Sequence, residues 1–422
     1  MDLDSVFLVV VLALTVWASG VSASDWPQWR GPNRDGHAAA DAPPVTALAT
    51  NPRVLWKLAV GGGFASPVLA GGKLVYLDER DRKETAHCLD DATGKELWSV
   101  PFSDSYQDEW GAGPRSTPSI DGERVYAQSC RGEFRCLSLA DGKTIWQTSF
   151  EKDFGVVFLG SKAREGTASR RGNTGAGVID GDRLFLAVGN TDGAAVVCFD
   201  KRSGQVLWRS QNDEAAYAPY AVATLAGVRQ VLAYTAEALM GIECASGKLL
   251  WRVPLQTAAK RHAVTPITLD EQVIVSSHSI GLRAYNIAKK GDAQQATETW
   301  ANKNLKTSIA SMVLVDGHLY GQGPEKNFVC VKARTGELLW SQPGFGERPL
   351  TGYSSTLAVG RHLLVLTETG ELVLLAADPA KYAELGRAQV CGKNWSHPAY
   401  VAGKLFLRDG RELQCLELLG AN

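Results

Sequence analysis

The chain has 422 residues, of which 45% are hydrophobic and 21% charged, and its formal net charge is −1. This composition is that of a globular protein with ample material for a core. A near-neutral chain has no bulk attraction to nucleic acid or to an acidic membrane surface, which argues against both classes of partner.

The N-terminus predicts an export signal over residues 1–23. Val6–Trp17 is a short apolar run, and Val21-Ser22-Ala23 supplies the small residues of a cleavage site. The acidic start at Asp2 and Asp4 departs from the usual basic start, so an uncleaved anchor remains an alternative. No cysteine lies beside the cleavage site, which argues against a lipid anchor. We predict a periplasmic or secreted protein, with no transmembrane helix in the mature chain.

Residues 24–52 have no strand pattern. The segment Asp25–Gly36, with the sequence DWPQWRGPNRDG, should form a strap on the surface. The alanine- and proline-rich Ala38–Pro52 has the composition of a linker.

A tryptophan recurs at intervals close to the length of one propeller blade. The recurring residues are Trp56, Trp98, Trp146, Trp208, Trp251, Trp300 and Trp340. Five of them follow a glycine turn, formed by Gly94, Gly142, Gly204, Gly247 and Gly336. Between tryptophans the sequence alternates short β-rich runs with Gly turns, which is typical of four antiparallel strands. Such a sheet has two apolar faces and buries both only when sheets stack around a ring.

Two further units follow the last of these tryptophans. One, around Leu363–Leu375, lacks the tryptophan, and the other, from Trp395 to Leu416, is one strand short. Arg53–Lys57 has the pattern of a closing strand without a unit before it. The sequence therefore predicts an all-β fold over residues 53–422: an eight-bladed β-propeller of four-stranded antiparallel blades, the last closed by the N-terminal strand. An insertion near residues 150–174 should be functional or mobile.

The cysteines are predicted to be unpaired. Cys88, Cys136, Cys198 and Cys330 stand at the same distance before their glycines, so they occupy equivalent places in different blades. Equivalent places in stacked sheets lie about 10 Å apart, beyond the roughly 7 Å reach of a disulfide. We expect small buried apolar residues.

The phrase Ala92–Trp98 resembles the repeat of pyrroloquinoline-quinone (PQQ) propellers, shared by quinoprotein dehydrogenases and by the propeller lipoprotein of outer-membrane barrel assembly. Trp26–Pro32, Tyr382–Leu385 and Trp395–Pro398 further resemble a PQQ-like family common in planctomycetes. The resemblance implies the fold, and it implies PQQ with calcium only for the dehydrogenase branch. The chain lacks the adjacent cysteine pair and the haem motif of that branch, and it lacks the lipidated cysteine of the assembly lipoprotein.

Motifs for catalysis or metal binding are missing from the sequence. No Gly-x-Ser-x-Gly elbow and no metal-ligand spacing occurs. We predict no catalytic residue, no metal and no resident cofactor, with PQQ and calcium as the alternative.

Cationic and aromatic residues recur in the loops that lead into the innermost strands. The candidate ligand-binding residues are Arg115, Arg170, Arg171, Arg261, His262, Tyr353, Trp395 and His397. A positive, aromatic mouth would attract a small anionic ligand. Alternatively, these are ordinary loop residues offset by acids such as Asp108 and Glu109.

Two functional hypotheses remain. The first is an exported, non-enzymatic scaffold, expected to be a monomer, that binds a protein or a small anion in the cell envelope. The second is a PQQ-dependent oxidoreductase of the alcohol or sugar dehydrogenase type.

Overall fold

The computed structural model describes residues 25–163, 168–291, 293–347 and 353–419. Within them, eight four-stranded antiparallel sheets form the blades of a β-propeller. The predicted signal at residues 1–23 lies outside the described residues.

The blades follow one another along the chain, each running from its innermost to its outermost strand. Blade 1 consists of Val68–Ala70, Lys73–Arg80, Lys83–Asp90 and Glu96–Asp104; blade 2 of Ser119–Asp121, Arg124–Gln128, Glu133–Ser138 and Thr144–Ser149; blade 3 of Val178–Asp180, Arg183–Asn190, Ala194–Asp200 and Val206–Ser210; and blade 4 of Ala221–Leu225, Val228–Tyr234, Ala238–Glu243 and Leu249–Pro254. Blade 5 consists of Ile267–Leu269, Gln272–Ser277, Gly281–Lys290 and Ala293–Asn302; blade 6 of Val313–Val315, His318–Gln322, Asn327–Lys332 and Glu337–Pro343; and blade 7 of Ser354–Val359, His362–Thr367, Glu371–Ala376 and Glu384–Gln389.

Blade 8 is built from both ends of the described chain. Ala399–Val401, Lys404–Arg408 and Glu412–Glu417 supply three strands, and Arg53–Ala59 supplies the outermost one. Arg53 lies opposite Glu417 and Ala59 opposite Glu412 in an antiparallel register. The predicted eight-bladed fold and its closure by the N-terminal strand are confirmed.

The repeat tryptophan joins each blade to the next. Trp208 of blade 3 donates from Nε1 to the Cys244 carbonyl of blade 4 at 3.1 Å. Its indole also covers Gly247, where an added Cβ would stand 2.7 Å from the ring. The same kind of indole-to-carbonyl bond reaches the following blade from Trp56, Trp98, Trp146 and Trp340.

Three blades depart from this arrangement. In blade 5, the Trp300 indole packs on Gly336, but its Nε1 is buried without a hydrogen-bond partner among the described residues. Blade 5 replaces the glycine turn with a long hairpin, and Trp251 instead donates to Gln230 of its own blade at 2.6 Å. In blade 7, Gly386 faces Leu374 at the register position that holds the tryptophan elsewhere. Leu48 of the N-terminal segment packs there, so an added Cβ on Gly386 would stand 2.9 Å from the Leu48 Cβ.

The segment before the first strand is not the surface strap that the sequence predicts. Trp26, Arg30 and Arg34 are buried within it, each 5% exposed or less. Polar contacts join the segment to the innermost strand of every blade, or to the residues that lead into it. The partners are Leu69, Ile120, Gly177, Tyr220, Thr265, Met312, Ala358 and Tyr400, in blade order. The segment therefore crosses the central channel and blocks it.

The insertion after blade 2 begins with a short α-helix, Phe150–Phe154, capped by Ser149 and ended by Gly155 in the left-handed region. Two 3₁₀ turns follow, at Gly160–Lys162 and Ala168–Arg171. The second turn carries Arg170 and Arg171 toward the channel mouth. A further hairpin, Gln107–Asp108 with Gly111–Ala112, stands beside it.

All eight cysteines lie in the described part of the chain and are unpaired, as predicted. In the same residues, no helix is long and apolar enough to cross a bilayer.

Candidate binding site in the central channel

A cavity of about 220 Å³ opens at the channel mouth formed by the loops that lead into the innermost strands. Every blade contributes to its wall, and the N-terminal segment contributes Trp29 at its inner end. The lining residues are Trp29, Phe64, Trp110, Arg115, Thr117, Arg171, Thr174, Ala176, Tyr217, Pro219, Arg261, Ala263, Ser308, Ile309, Tyr353 and Trp395.

Hydroxyl groups fix the loops relative to one another. Thr117 accepts from the Ser66 amide at 3.2 Å, and Ser66 accepts from the His397 amide at 2.8 Å. Ser355 donates to the Ser396 carbonyl in the same way. These bonds join blades 7, 8, 1 and 2 in turn, so on this side of the channel the lead-in loops are held to one another.

Aromatic rings form one wall and the inner end of the cavity. The rings of Trp110 and Trp395 lie 5.0 Å apart, and Phe64 stands 5.7 Å from Trp395. At the inner end, the Trp29 indole donates to Thr265 at 2.9 Å. A flat apolar ligand would find faces on two sides.

Asp108 holds the first two cationic residues. Its buried carboxylate accepts from both terminal nitrogens of Arg115, at 2.6 and 2.9 Å, and from Arg171 at 3.2 Å. Burial acts to raise the pKa of Asp108, but the hydrogen bonds and charge of Arg115 hold it below the ordinary value. Arg171 also pairs with Glu109 at 2.5 Å. The alternative interpretation, arginines offset by neighbouring acids, therefore describes Arg115 and Arg171.

Arg261 differs from them. It lines the same cavity, yet no carboxylate of the described residues lies within ion-pair distance of its guanidinium. Its Nε is buried and has no hydrogen-bond partner there. The Nε of Arg115 is also buried without a partner, so what distinguishes Arg261 is the missing carboxylate, and its charge is the one in the lining left for an anion to pair with.

The two histidines predicted for the site lie outside the lining. His262 is fully buried, stacks on Tyr234 at 4.1 Å and contacts the Leu255 carbonyl at 2.8 Å. Burial lowers its pKa to about 4. His397 is buried against Trp26 at 6.0 Å. Arg170 is near the mouth, 3.9 Å from Glu109, but does not line the cavity.

The structure thus brings together Arg115, Arg171, Arg261, Tyr353 and Trp395 of the predicted residues. The Tyr353 and Ser355 hydroxyls lie 3.0 Å apart, within hydrogen-bond distance, and burial raises the pKa of Tyr353 to about 12. Sequence reasoning missed Trp29 and Phe64, and it counted Asp108 only as a neutralising charge. Trp29 belongs to the WPQWRGP phrase, for which the sequence predicts a strap on the surface and not a place in the channel.

The lining limits the chemistry of the site. Among the described lining residues there is no Asp, Glu, Asn or Gln side chain. No group of three or more His, Cys, Asp or Glu residues in the described ranges is placed to hold a metal ion. The arrangement can stack a flat group and pair with a negative charge.

No curated protein sequence matches the chain. BamB from Moraxella catarrhalis superposes with a TM-score of 0.58 at 12% identity, over 87% of this chain and 100% of that one. The computationally designed Ika8 protein gives 0.58 at 10% identity, over 88% and 99%. Quinohemoprotein alcohol dehydrogenase from Comamonas testosteroni gives 0.51 at 13% identity, over 96% and 82%. At these identities, the likeness shows the fold alone.

A family model provides the assignment that the superpositions do not. The model described as outer membrane protein assembly factor BamB matches residues 16–159 and 135–381. Together the two matches cover most of the chain, including the first six blades and the inner three strands of blade 7. The chain belongs to this family of PQQ-like β-propellers.

Proposed function

We propose that the protein is a non-enzymatic binding scaffold of the cell envelope whose central cavity takes a small planar anion. The observation that carries this is the Arg261 guanidinium, unpaired among the described residues, beside a wall of aromatic rings. Ring faces favour a flat group, and the cation favours a negative charge on it. An aromatic carboxylate, alone or presented by a protein partner, has both properties.

The family supports the envelope location and the binding role. Its model is described as an outer membrane protein assembly factor, and the Moraxella catarrhalis structure is of that factor. The export signal expected from residues 1–23 is consistent with the same compartment.

A PQQ-dependent oxidoreductase is the second candidate, because Trp29 and Arg261 could stack on a carboxylated quinone and pair with it. Calcium prefers six to eight oxygen ligands, usually including carboxylates. The described lining residues offer no carboxylate or amide oxygen, and Asp108 is already engaged by two arginines. The residues therefore do not fit a calcium-quinone pair, and we derive no reaction from it.

Fluorescence titration tests the proposal, because tryptophans line the cavity. The probes are naphthalene-2-carboxylate, naphthalene as the uncharged comparison, and PQQ with and without calcium. We expect the carboxylate to bind without calcium, and Arg261→Met to weaken it about tenfold or more, the usual loss for a charged hydrogen bond. Lys260→Met is the matched control, since Lys260 pairs with Glu214 and does not line the cavity.

The outcomes separate the candidates. Calcium-dependent PQQ binding with dye reduction by alcohols or sugars would replace the scaffold with an oxidoreductase. No binding of either aromatic anion, or equal loss in both variants, would remove the cavity as an anion site.

A further inference from the structure

A second cavity, of about 440 Å³, lies further along the channel, beyond the N-terminal segment. Its walls include Val178, Ala221 and Ile267, which lie in or start the innermost strands that the first cavity's loops lead into. Trp29 lines the first cavity and Arg30 the second, so the segment separates the two.

Two buried arginines face this second cavity. Arg30 is 1% exposed and Arg34 is 5% exposed. Arg34 donates hydrogen bonds to the Ala176, Gly177 and Tyr220 carbonyls and to the side chain of Gln28. Its guanidinium is therefore satisfied by oxygens that carry no full negative charge.

Arg30 is not satisfied. Its Nη2 donates to the Asp35 carbonyl at 3.0 Å and to the Met312 carbonyl at 2.6 Å, whereas Nε and Nη1 are buried without a partner. Neither arginine forms an ion pair with a carboxylate of the described residues, although Arg30 feels the charge of Asp35. Burial lowers the pKa of both, and for Arg34 the neighbouring charge of Arg30 adds to the effect.

Two guanidiniums held this way leave net positive charge inside the ring. Burying a charge without a counter-charge is costly, and an arginine does not escape the cost by losing its proton at neutral pH. A bound anion would supply the missing counter-charge to these two guanidiniums. The only carboxylate among the described lining residues is the exposed Asp35, which accepts from the His37 amide at 2.9 Å.

We propose that the cavity lined by Arg30, Arg34 and His37 is a binding site for an oxyanion, separate from the aromatic cavity at the mouth. The site would hold a phosphate, a sulfate or a carboxylate, and its occupant would fasten the N-terminal segment to the ring. It does not depend on the function proposed above, because it uses neither Arg261 nor the aromatic wall.

Thermal unfolding and calorimetric titration test this site with inorganic phosphate, sulfate and acetate, against chloride at equal ionic strength. We expect at least one oxyanion to raise Tm by several degrees and to bind with a stoichiometry of about one. The pattern across the three salts distinguishes a phosphate or sulfate site from a carboxylate site. An effect no larger than that of chloride for all three would overturn the proposal.

Variants locate the site. Asp35→Asn keeps the acceptor for the His37 amide and removes the competing charge, so oxyanion affinity should rise several-fold. Arg30→Met should abolish binding, and Arg261→Met should leave it unchanged. If Arg30→Met does not fold, the Asp35→Asn variant provides the test. An oxyanion affinity equal to that of the unsubstituted protein would then refute the site. Loss of binding in Arg261→Met would also refute it, by moving the anion to the other cavity.

Discussion

The contact between one tryptophan and one glycine is the smallest unit of this fold. Gly247 has a φ of +77°, which only glycine adopts without strain, and the face it leaves bare is covered by the Trp208 indole. The glycine turn and the indole therefore depend on each other. The absence of a side chain at Gly247 allows the turn and also leaves room for the Trp208 indole of the neighbouring blade.

Gly247→Ala tests this contact. We expect a loss of about 3 kcal/mol in unfolding free energy, because backbone strain of about 1–2 kcal/mol adds to overpacking against the indole. Gly193→Ala is the control, with a φ of +84° and nothing within 4 Å of its Cβ position. Urea unfolding of both variants should show a clearly smaller loss at Gly193, and equal losses would contradict the docking role.

Trp208→Ala removes the other half of the contact. Truncating a large buried aromatic residue costs about 3–5 kcal/mol, and we expect the lower end of this range because Trp208 is only partly buried, even though the Cys244 carbonyl also loses its donor. Leu207→Ala is the matched control, since the adjacent Leu207 side chain is 45% exposed. Thermal and urea unfolding should separate the two variants, and a Tm unchanged in Trp208→Ala would remove that indole from the core.

His262 gives the molecule a pH-dependent stability. Burial lowers its pKa to about 4 from an ordinary 6.5, so between these values the unfolded chain binds a proton that the folded chain does not. Stability from this residue is complete above about pH 6.5 and falls as the pH drops toward 4. His262→Gln should make that part of the stability profile less steep, measured by urea unfolding from pH 4 to 7.5. The slope that remains is expected from His397, whose pKa burial also lowers to about 4. A profile as steep as that of the unsubstituted protein would contradict the assignment.

At the scale of the blade, the departures from the repeat are compensated from elsewhere. Blade 7 has Gly386 where other blades have tryptophan, and Leu48 from the N-terminal segment occupies the adjoining space. The segment called a linker on composition is thus part of the interface between blades.

Leu48→Ala tests how much Leu48 contributes to stability in the place of the missing tryptophan. We expect a loss of about 1–2 kcal/mol, less than for a fully buried leucine because Leu48 is only partly buried. Leu385→Ala, beside Gly386 and 42% exposed, should change the unfolding free energy by less than about 0.5 kcal/mol. If Leu48→Ala and the unsubstituted protein unfold at the same denaturant concentration, Leu48 does not stabilise the interface between the blades.

The blades were predictable because period-two patterns, Gly turns and repeated tryptophans are local signals. The position of Leu48 was not, since its partner is hundreds of residues away and the signal in blade 7 is a missing residue. The cavity was partly predictable for the same reason. Arg115 and Trp395 stand at equivalent places in the repeat, whereas Trp29 and the Asp108 ion pairs depend on contacts between distant segments.

At the scale of the whole molecule, one segment of the chain contacts all eight blades. Deleting residues 25–43, while keeping the closing strand Arg53–Ala59, should lower Tm markedly and join the two cavities into an open channel. Differential scanning calorimetry and hydrogen exchange at the innermost strands check this. Exchange unchanged at Val178–Asp180 and Ala221–Leu225 would show that the ring is stable without the segment.

The closing strand also sets the order of events during synthesis. Arg53–Ala59 is synthesised before every other strand of the ring, and its partner, Glu412–Glu417, is synthesised only after blades 1 to 7. Until then the nascent chain exposes an unpaired edge at each end of an incomplete array. Such a chain cannot close its ring until the last blade has been made, so both edges stay open to wrong pairing for most of its synthesis.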